Sequence, residues 1–247
     1  MSAGDARTSG LRRGASYVWR GFSLIREPSL RLYVLVPLTI NIVLFSAGIA
    51  SIAWGLDAVM DRFLPDWLDW LRFILWPLFL LAALVIVFYG FTILANLIAS
   101  PFNGMLAAAV ERHIKGESEQ IPFSFKTLWA EVVRSIGAEL RKLVYFVLWA
   151  LPCLLLFLIP GINLVAAPVW FAFGAWMLAI EYVDCPLGNH GKPFPVVKDT
   201  LRPKRRLALG FGGTVMALTM IPVVNFVAMP VGVAAATALY LDELAAE

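Results

Sequence analysis

The sequence predicts an all-α integral membrane protein with two long transmembrane helices, two hemi-penetrating helical hairpins, and amphipathic interfacial or cytoplasmic helices. Of its 247 residues, 60% are hydrophobic and only 15% are charged, and the mean hydropathy is +0.80. Soluble domains contain about 45–50% apolar and 25% charged residues. Uncharged apolar stretches also exceed the roughly 18–20 residues that cross a bilayer. A third observation, paired apolar runs interrupted by prolines, predicts the hairpins.

The apolar blocks differ in length. Two blocks, residues 32–56 and 73–99, contain no charge and are long enough to span the membrane. Four others contain twelve to seventeen residues, which rise only ~18–25 Å against a ~30 Å hydrocarbon core. Each pair is therefore expected to dip into the bilayer without emerging fully. The single membrane domain, residues 1–247, is predicted as an amphipathic N-terminal segment (1–27), the first long helix (28–58), the second long helix (72–100), cytoplasmic or interfacial helices (101–142), the first hairpin (143–182), a loop (183–206) and the second hairpin (207–241).

The two hairpins share a repeated turn sequence. Residues 159–169 (IPGINLVAAPV) return as residues 221–231 (IPVVNFVAMPV), with seven of eleven positions identical. Proline lacks an amide hydrogen and interrupts helices, so broken backbone is expected where it can face protein or water. Two simple turns between ordinary transmembrane helices explain the repeat equally well. The predicted structural turn residues are Pro160, Asn163, Pro168, Pro222, Asn225 and Pro230.

The distribution of basic residues predicts the topology. Residues 1–31, 100–142 and 182–206 each contain six Lys or Arg, whereas residues 57–72 contain only Arg62 and Arg72. Cytoplasmic loops of membrane proteins carry an excess of Lys and Arg. Both termini and both long polar loops are therefore expected in the cytoplasm.

Other functional classes find no support in the sequence. It contains no phosphate-binding Gly-rich loop, no His-Glu-x-x-His motif and no nucleophile elbow, so we expect no enzyme activity and no cofactor. His113 and His190 are too isolated to predict a metal site. Cys153 and Cys185 lack Cys-x-x-Cys spacing and are expected to be free thiols. The net charge of +3 is explained by basic loops, so no nucleic-acid partner is expected.

The start of the first long helix has features of an anion site. Pro28 suits a first helical position, Ser29 is a candidate N-cap, and Arg31 stands in the first turn. Unpaired amides and the helix dipole favour anions there, and a guanidinium adds charge-assisted hydrogen bonds. The alternative is an ordinary capped helix whose arginine snorkels to the lipid headgroups.

Polar side chains also fall within or beside the apolar blocks. They either hold helices together or line a water-filled path. A proline break is expected at Pro101, and Glu111 is expected to pair with a nearby Lys or Arg. The candidate pore-lining residues are Asn41, Asn96, Asn103, Glu111 and Arg112.

Several motifs in order along the chain resemble the CysZ family of bacterial sulfate permeases. The resemblance runs from about Gly21 to Leu241. It rests on both proline–asparagine turns and on the segments Pro37–Asn41 (PLTIN), Leu64–Leu71 (LPDWLDWL), Ile98–Gly104 (IASPFNG), Ala175–Tyr182 (AWMLAIEY), Asp184–Pro186 (DCP) and Asn189–His190.

The resemblance implies sulfate uptake across the bacterial cytoplasmic membrane for cysteine biosynthesis. It also implies the fold of two long helices and two hemi-penetrating hairpins, and a homo-oligomer, with a hexamer and opposite protomer orientations among the arrangements it allows. The family's sulfate site is a Gly-Leu-Arg-type motif, which appears here as Ser29, Leu30 and Arg31. Leu32 stands where the family often has a second arginine, so we expect a site of weaker charge. The alternative is a non-transporting membrane scaffold that binds a partner through its cytoplasmic loops.

Overall fold

The computed structural model describes residues 3–63, 72–117 and 125–245, and every element of secondary structure among them is helical. This confirms the predicted all-α fold. The α-helices are α1 (Ala3–Leu24), α2 (Pro28–Phe63), α3 (Arg72–Lys115), α4 (Phe125–Leu158), α5 (Asn163–Asn189), α6 (Phe194–Leu201), α7 (Arg205–Thr219) and α8 (Pro222–Leu239), followed by a π-helical turn at Tyr240–Leu244.

The chain divides into two compact units. The first comprises Met1–Val34 and Pro101–Glu247, and the second comprises Leu35–Ser100. The second unit contains the greater part of α2 and α3, whose described outer side chains are large and apolar, including Ile42, Val43 and Phe73.

Four helical stretches in the described residues are long and apolar enough to cross a membrane: Pro28–Ile52, Leu140–Leu158, Asn163–Asn189 and Val224–Leu244. Their outward side chains include Leu158 and Leu164, which are 76% and 83% exposed. Large apolar side chains on the outside of a chain require lipid or protein to cover them. The composition and this surface together identify a membrane protein.

The helices of the hairpins are longer than predicted. The helical stretches Leu140–Leu158, Asn163–Asn189 and Val224–Leu244, the last of which includes the π-helical turn, contain 19, 27 and 21 residues, or ~28–40 Å of helix at ~1.5 Å per residue. Only α7, with 15 residues, is clearly shorter than the ~30 Å core. These helices extend beyond the apolar blocks into charged residues such as Arg141 and Glu181, and the depth of the hairpins stays a prediction.

The core of the first unit forms where α1, α5, α7 and α8 pack on one another. Small residues allow these helices to approach closely, as is common between membrane helices. A Cβ added to Gly14 of α1 would overlap the Leu207 carbonyl oxygen, and one added to Gly212 of α7 would overlap the Ala175 carbonyl oxygen. The buried side chains in the core of the first unit include Val18 of α1 and Phe211 of α7.

The N-terminal segment is a helix, α1, and its inner face packs on protein. Tyr17 and Val18 are buried, and α1 contacts α7 and α8. Its outer face carries Trp19, which is 66% exposed and stacks on Phe22. The segment is therefore a helix whose inner face is part of the core of the first unit, and its position at the membrane interface stays a prediction.

The first hairpin turns at Ile159–Ile162, between α4 and α5. Gly161 has φ of +85° there, a backbone conformation that glycine adopts without steric strain. Asn163 is already the first residue of α5, and Pro168 lies inside that helix. The expected break over the whole repeat is therefore wrong, because the chain resumes a helix directly after Pro160 and Gly161.

The second hairpin turns at Met220–Ile221 and is equally tight. Pro222 begins α8, whereas Asn225 and Pro230 lie within it. The Asn225 amide donates to the Ile221 carbonyl at 2.8 Å, so the backbone here is already helical. The side chains of Asn163 and Asn225 are both exposed on the chain.

The expected proline break at Pro101 is also wrong. α3 continues through that position to Lys115, and α4 begins at Phe125. Residues 101–142 therefore consist mainly of the ends of two long helices rather than separate surface helices. Proline is tolerated within membrane helices because neighbouring groups can satisfy the carbonyl that it leaves open.

Candidate functional site

The candidate anion site lies at the tight turn between α1 and α2. Ile25, Arg26 and Glu27 form this turn, and the Glu27 amide donates to the Leu24 carbonyl at 3.0 Å. Pro28 then occupies the first helical position, where its missing amide leaves no hydrogen bond unmade. The helix therefore begins at the predicted residue.

The first turn of α2 presents alternating side chains to the core and to the surface. Leu30 is 1% exposed and packs in the core, whereas Ser29 and Arg31 are exposed. The amides of Leu30 and Arg31 donate to the Glu27 carbonyl at 3.0 and 3.2 Å. Glu27 is therefore the residue before the first helical position, and the prediction that Ser29 is the N-cap is wrong. Ser29 lies within the first turn, where its hydroxyl can donate outward.

Arg31 is oriented by a backbone contact. Its Nε donates to the Arg26 carbonyl at 2.8 Å. This bond leaves the two terminal amino groups of the guanidinium as the remaining donors. The fork of Arg31 and the hydroxyl of Ser29 both belong to the first turn, at the positive end of a 36-residue helix, although residues two apart in a helix do not face each other. A guanidinium and the first turn of a helix are each able to bind an oxyanion.

Two candidate pore-lining residues belong to the second unit. Asn41 is half-buried on α2, and its Oδ1 is shielded from solvent without a hydrogen-bond partner in the part of the chain that the structure describes. An unpaired amide oxygen in an apolar segment is unfavourable by roughly 1–3 kcal/mol unless water or another chain reaches it. The backbone of Asn96 belongs to α3, and its side chain lies outside the described residues.

The other three candidates lie on the end of α3, in the first unit. Asn103 Nδ2 contacts Met229 Sδ of α8 at 3.5 Å, and Arg112 is half-buried. The Glu111 carboxylate is buried and accepts a hydrogen bond from Lys115 Nζ at 2.6 Å. The prediction that Glu111 pairs with a nearby basic residue is therefore confirmed.

His190 completes this cluster, which the sequence did not predict. Its Nε2 lies 3.0 and 3.1 Å from the two Glu111 carboxylate oxygens. Burial of Glu111 opposes its ionisation, but the hydrogen bonds and charges of Lys115 and His190 outweigh this effect and lower the pKa of its carboxyl group. Asn189, next in the chain, donates to the Gly104 carbonyl at 2.8 Å. Hydrogen bonds from Asn189 and His190 therefore join the C-terminal end of α5 to the C-terminal part of α3.

A second polar cluster joins α4 to α5. Lys142 is 5% exposed, and its Nζ lies 2.9 Å from Glu181 and 3.1 Å from Asp184. This cluster could not be predicted from local sequence, because its partners are about forty positions apart. The i, i+3 spacing of the two acidic residues on one helix face was the only available signal. Among the described residues, no group of three or more His, Cys, Asp or Glu side chains is arranged to hold a metal ion.

Comparison with known proteins connects this geometry to a family. The family model described as sulfate transporter CysZ/etoposide-induced protein 2.4 matches residues 17–230. The chain belongs to this family. The matched region includes the α1–α2 turn, α3, the first hairpin, the turn of the second hairpin and the Glu111 cluster.

Individual relatives match over almost their whole length. The chain is 44% identical over 234 residues to the sulfate transporter CysZ of Pseudomonas aeruginosa strain LESB58, covering 93% of this chain and 95% of the relative. It is also 44% identical to the sulfate transporter CysZ of Pseudomonas fluorescens strain Pf0-1, over 239 residues and 95% of each chain. The protein of that name from Pseudomonas syringae pv. tomato is 44% identical over 237 residues, covering 95% of this chain and 94% of the relative.

Proposed function

We propose that this chain is a sulfate permease. The observation that carries the proposal is its 44% identity to proteins named sulfate transporter CysZ over about 95% of their length. The apolar helices and outward apolar side chains are what a permease requires. The chain would act as a transporter rather than an enzyme, in the bacterial cytoplasmic membrane, supplying sulfate for cysteine biosynthesis.

Sulfate would first bind at Ser29, Leu30 and Arg31. The exposed guanidinium fork and hydroxyl support this assignment, while buried Leu30 fixes the turn on which they stand. A bidentate guanidinium can replace part of the hydration of a dianion. The Leu32 side chain is 67% exposed, so it occupies accessible surface where an arginine would have added charge. We therefore expect a single-arginine site of moderate affinity.

Asn41, Asn96, Asn103, Glu111 and Arg112 would contribute to the polar route. A lone carboxylate at position 111 would repel sulfate. Lys115 and His190 offset that charge, which makes Glu111 compatible with an anion path. The unpartnered Oδ1 of Asn41 supports a polar environment along α2.

The assembly would be a homo-oligomer, for which a hexamer is one size that the family resemblance allows. The exposed leucines of the first hairpin offer apolar surface that either lipid or a second copy can cover. Cross-linking in the native membrane, followed by mass measurement, would determine the number of copies.

Sulfate binding by Arg31 variants tests the site. Arg31→Ala should weaken binding about ten- to hundredfold, because one charge-assisted contact contributes roughly 1.5–3 kcal/mol. Arg31→Lys should recover only part of this loss, because an ammonium cannot form the bidentate fork. The matched control is Arg12→Ala, which removes an exposed arginine that lies on α1 and not on α2. This variant should bind sulfate normally. Calorimetric titration that gives one affinity for wild type and Arg31→Ala would exclude the site.

A further inference from the structure

A basic groove lies at the junction of α6 and α7, within the first unit and away from Arg31 in sequence. Its volume is about 560 Å³, and its charged lining consists of Arg13, Arg202, Lys204, Arg205, Arg206 and Glu243. Five cationic side chains therefore face one carboxylate. This excess of positive charge is suited to a ligand that carries negative charge.

Part of this lining is fixed by internal contacts. Arg13 forms an ion pair with Glu243, and Lys204 Nζ donates to the Glu243 carbonyl oxygen. Tyr17 also donates to the Glu243 carboxylate, at 3.1 Å. The single acidic group is thus partly neutralised, so its repulsion of an anion in the groove is reduced.

The opposite part of the lining is exposed. Arg202, Arg205 and Arg206 lie on the surface, and the salt bridges found in residues 3–63, 72–117 and 125–245 do not engage them. They stand around the start of α7, which has Lys204 as its N-cap and no side-chain cap. The helix dipole reinforces the field of the three arginines.

The surroundings of the groove indicate the source of the anion. α1, which supplies Arg13, carries Leu11 and Trp19 on its outer surface, and exposed tryptophan is enriched at the level of lipid headgroups. The basic segment 182–206 is predicted to lie on the cytoplasmic side. Basic pockets of membrane proteins on that side bind the phosphate groups of anionic lipids.

We propose that this groove binds the phosphate group of an anionic phospholipid at the cytoplasmic surface. The guanidinium groups of Arg202, Arg205 and Arg206 would hold the phosphate oxygens, and the glycerol and acyl chains would extend towards the exposed Leu11 and Trp19 of α1. This site is separate from the candidate sulfate site, and its occupation does not depend on transport.

Lipid titration of the delipidated full-length protein tests the proposal. Phosphatidylglycerol or phosphatidylcholine is added to the protein in neutral detergent, and bound lipid is counted by native mass spectrometry. Phosphatidylglycerol should bind at least tenfold more tightly than phosphatidylcholine. Arg205→Gln with Arg206→Gln should weaken its binding roughly twenty- to thirtyfold, from about 1 kcal/mol for each charge near a membrane surface.

The control removes two charges outside the groove. Arg141→Gln with Lys192→Gln changes two exposed residues and should alter binding less than twofold. If the double arginine variant does not fold, Arg202→Gln alone should weaken binding about fivefold.

Three results would overturn the proposal. Equal binding of the two lipids would mean that charge is not recognised, and an equal loss in the control would assign the effect to general surface charge. Inorganic phosphate that binds the lipid-free protein and is lost in the double arginine variant would assign the groove to a soluble anion instead.

Discussion

The crossing of α5 and α7 provides a stringent test of the fold, because two adjacent glycines meet different surroundings. A Cβ added to Gly212 would overlap the Ala175 carbonyl oxygen. It would also lie 2.8 Å from the Ala175 carbonyl carbon and 3.1 Å from the Ala179 amide nitrogen. A Cβ added to Gly213 would meet its nearest atoms, in Phe171 and Ala175, at 3.6 and 3.8 Å. The second set of distances is ordinary van der Waals contact.

The two alanine variants should therefore differ in stability, and only Gly212→Ala should be destabilised. The clash at Gly212 is with backbone, which cannot rotate away, so overpacking should lower stability by about 2–3 kcal/mol. The better helix propensity of alanine offsets about 1 kcal/mol of this loss. The net loss of about 1–2 kcal/mol corresponds to a Tm roughly 2–8 °C lower for a chain of this size. Gly213→Ala has the propensity gain without the clash, so its Tm should be unchanged or higher.

Thermal unfolding in detergent, followed by tryptophan fluorescence, measures both variants under one condition. Size-exclusion chromatography before heating checks that each variant is monodisperse. If Gly213→Ala is destabilised as much as Gly212→Ala, or if neither variant changes the Tm, the close approach of α5 and α7 is wrong.

Three further predictions concern polar groups. Glu111→Gln should lower stability by about 1.5–3 kcal/mol at pH 7, and exposed Glu117→Gln should not. Because the pKa of Glu111 is lowered in the folded state, its contribution is fully present above the ordinary value of about 4.3 and is lost progressively as the pH falls through the folded value; a variant difference that is no smaller at pH 3 than at pH 7 would contradict this. Lys142→Met should destabilise by about 2–4 kcal/mol, because it removes the buried ammonium that pairs with Glu181 and Asp184, and adding Asp184→Asn should recover part of the loss; no recovery in the double variant would refute the pairing. Cysteine placed at Asn163 or Asn225, in a background without Cys153 and Cys185, should react slowly with membrane-impermeant reagents from either side, and rapid periplasmic labelling would mean that the hairpins cross the bilayer.

The exposure of the two turn asparagines changes the reasoning about their stability. The sequence predicts both as structural turn residues, yet both side chains are exposed on the chain. Replacement by leucine should therefore alter the stability of an isolated protomer by less than about 0.5 kcal/mol. A loss of 1–3 kcal/mol in the native membrane alone would point to a partner copy that pairs with the amide.

Local sequence was sufficient for features that depend on neighbouring residues. The start of α2 at Pro28 follows from the fixed φ and missing amide of proline, and the pairing of Glu111 with Lys115 follows from i, i+4 spacing. Composition similarly predicted the class of fold, because lipid demands outward apolar side chains.

Features that depend on distant residues could not be predicted in this way. Pro101, Pro168 and Pro230 remain inside helices, and whether a proline ends a helix depends on groups supplied by the surrounding structure. His190 reaches Glu111 across 79 positions, a contact that no local pattern encodes. The groove at α7 likewise arises only when α1 brings Arg13 beside residues 202–206.

Sulfate flux is the most direct measurement of the central proposal. Purified wild-type protein and Arg31→Ala are reconstituted at equal density, and uptake of radiolabelled sulfate is measured against protein-free vesicles. The wild type should give saturable uptake, and the variant should require about ten- to hundredfold more sulfate for the same rate. Uptake by folded, inserted wild-type protein that does not exceed that of protein-free vesicles would contradict the permease proposal and favour a membrane scaffold.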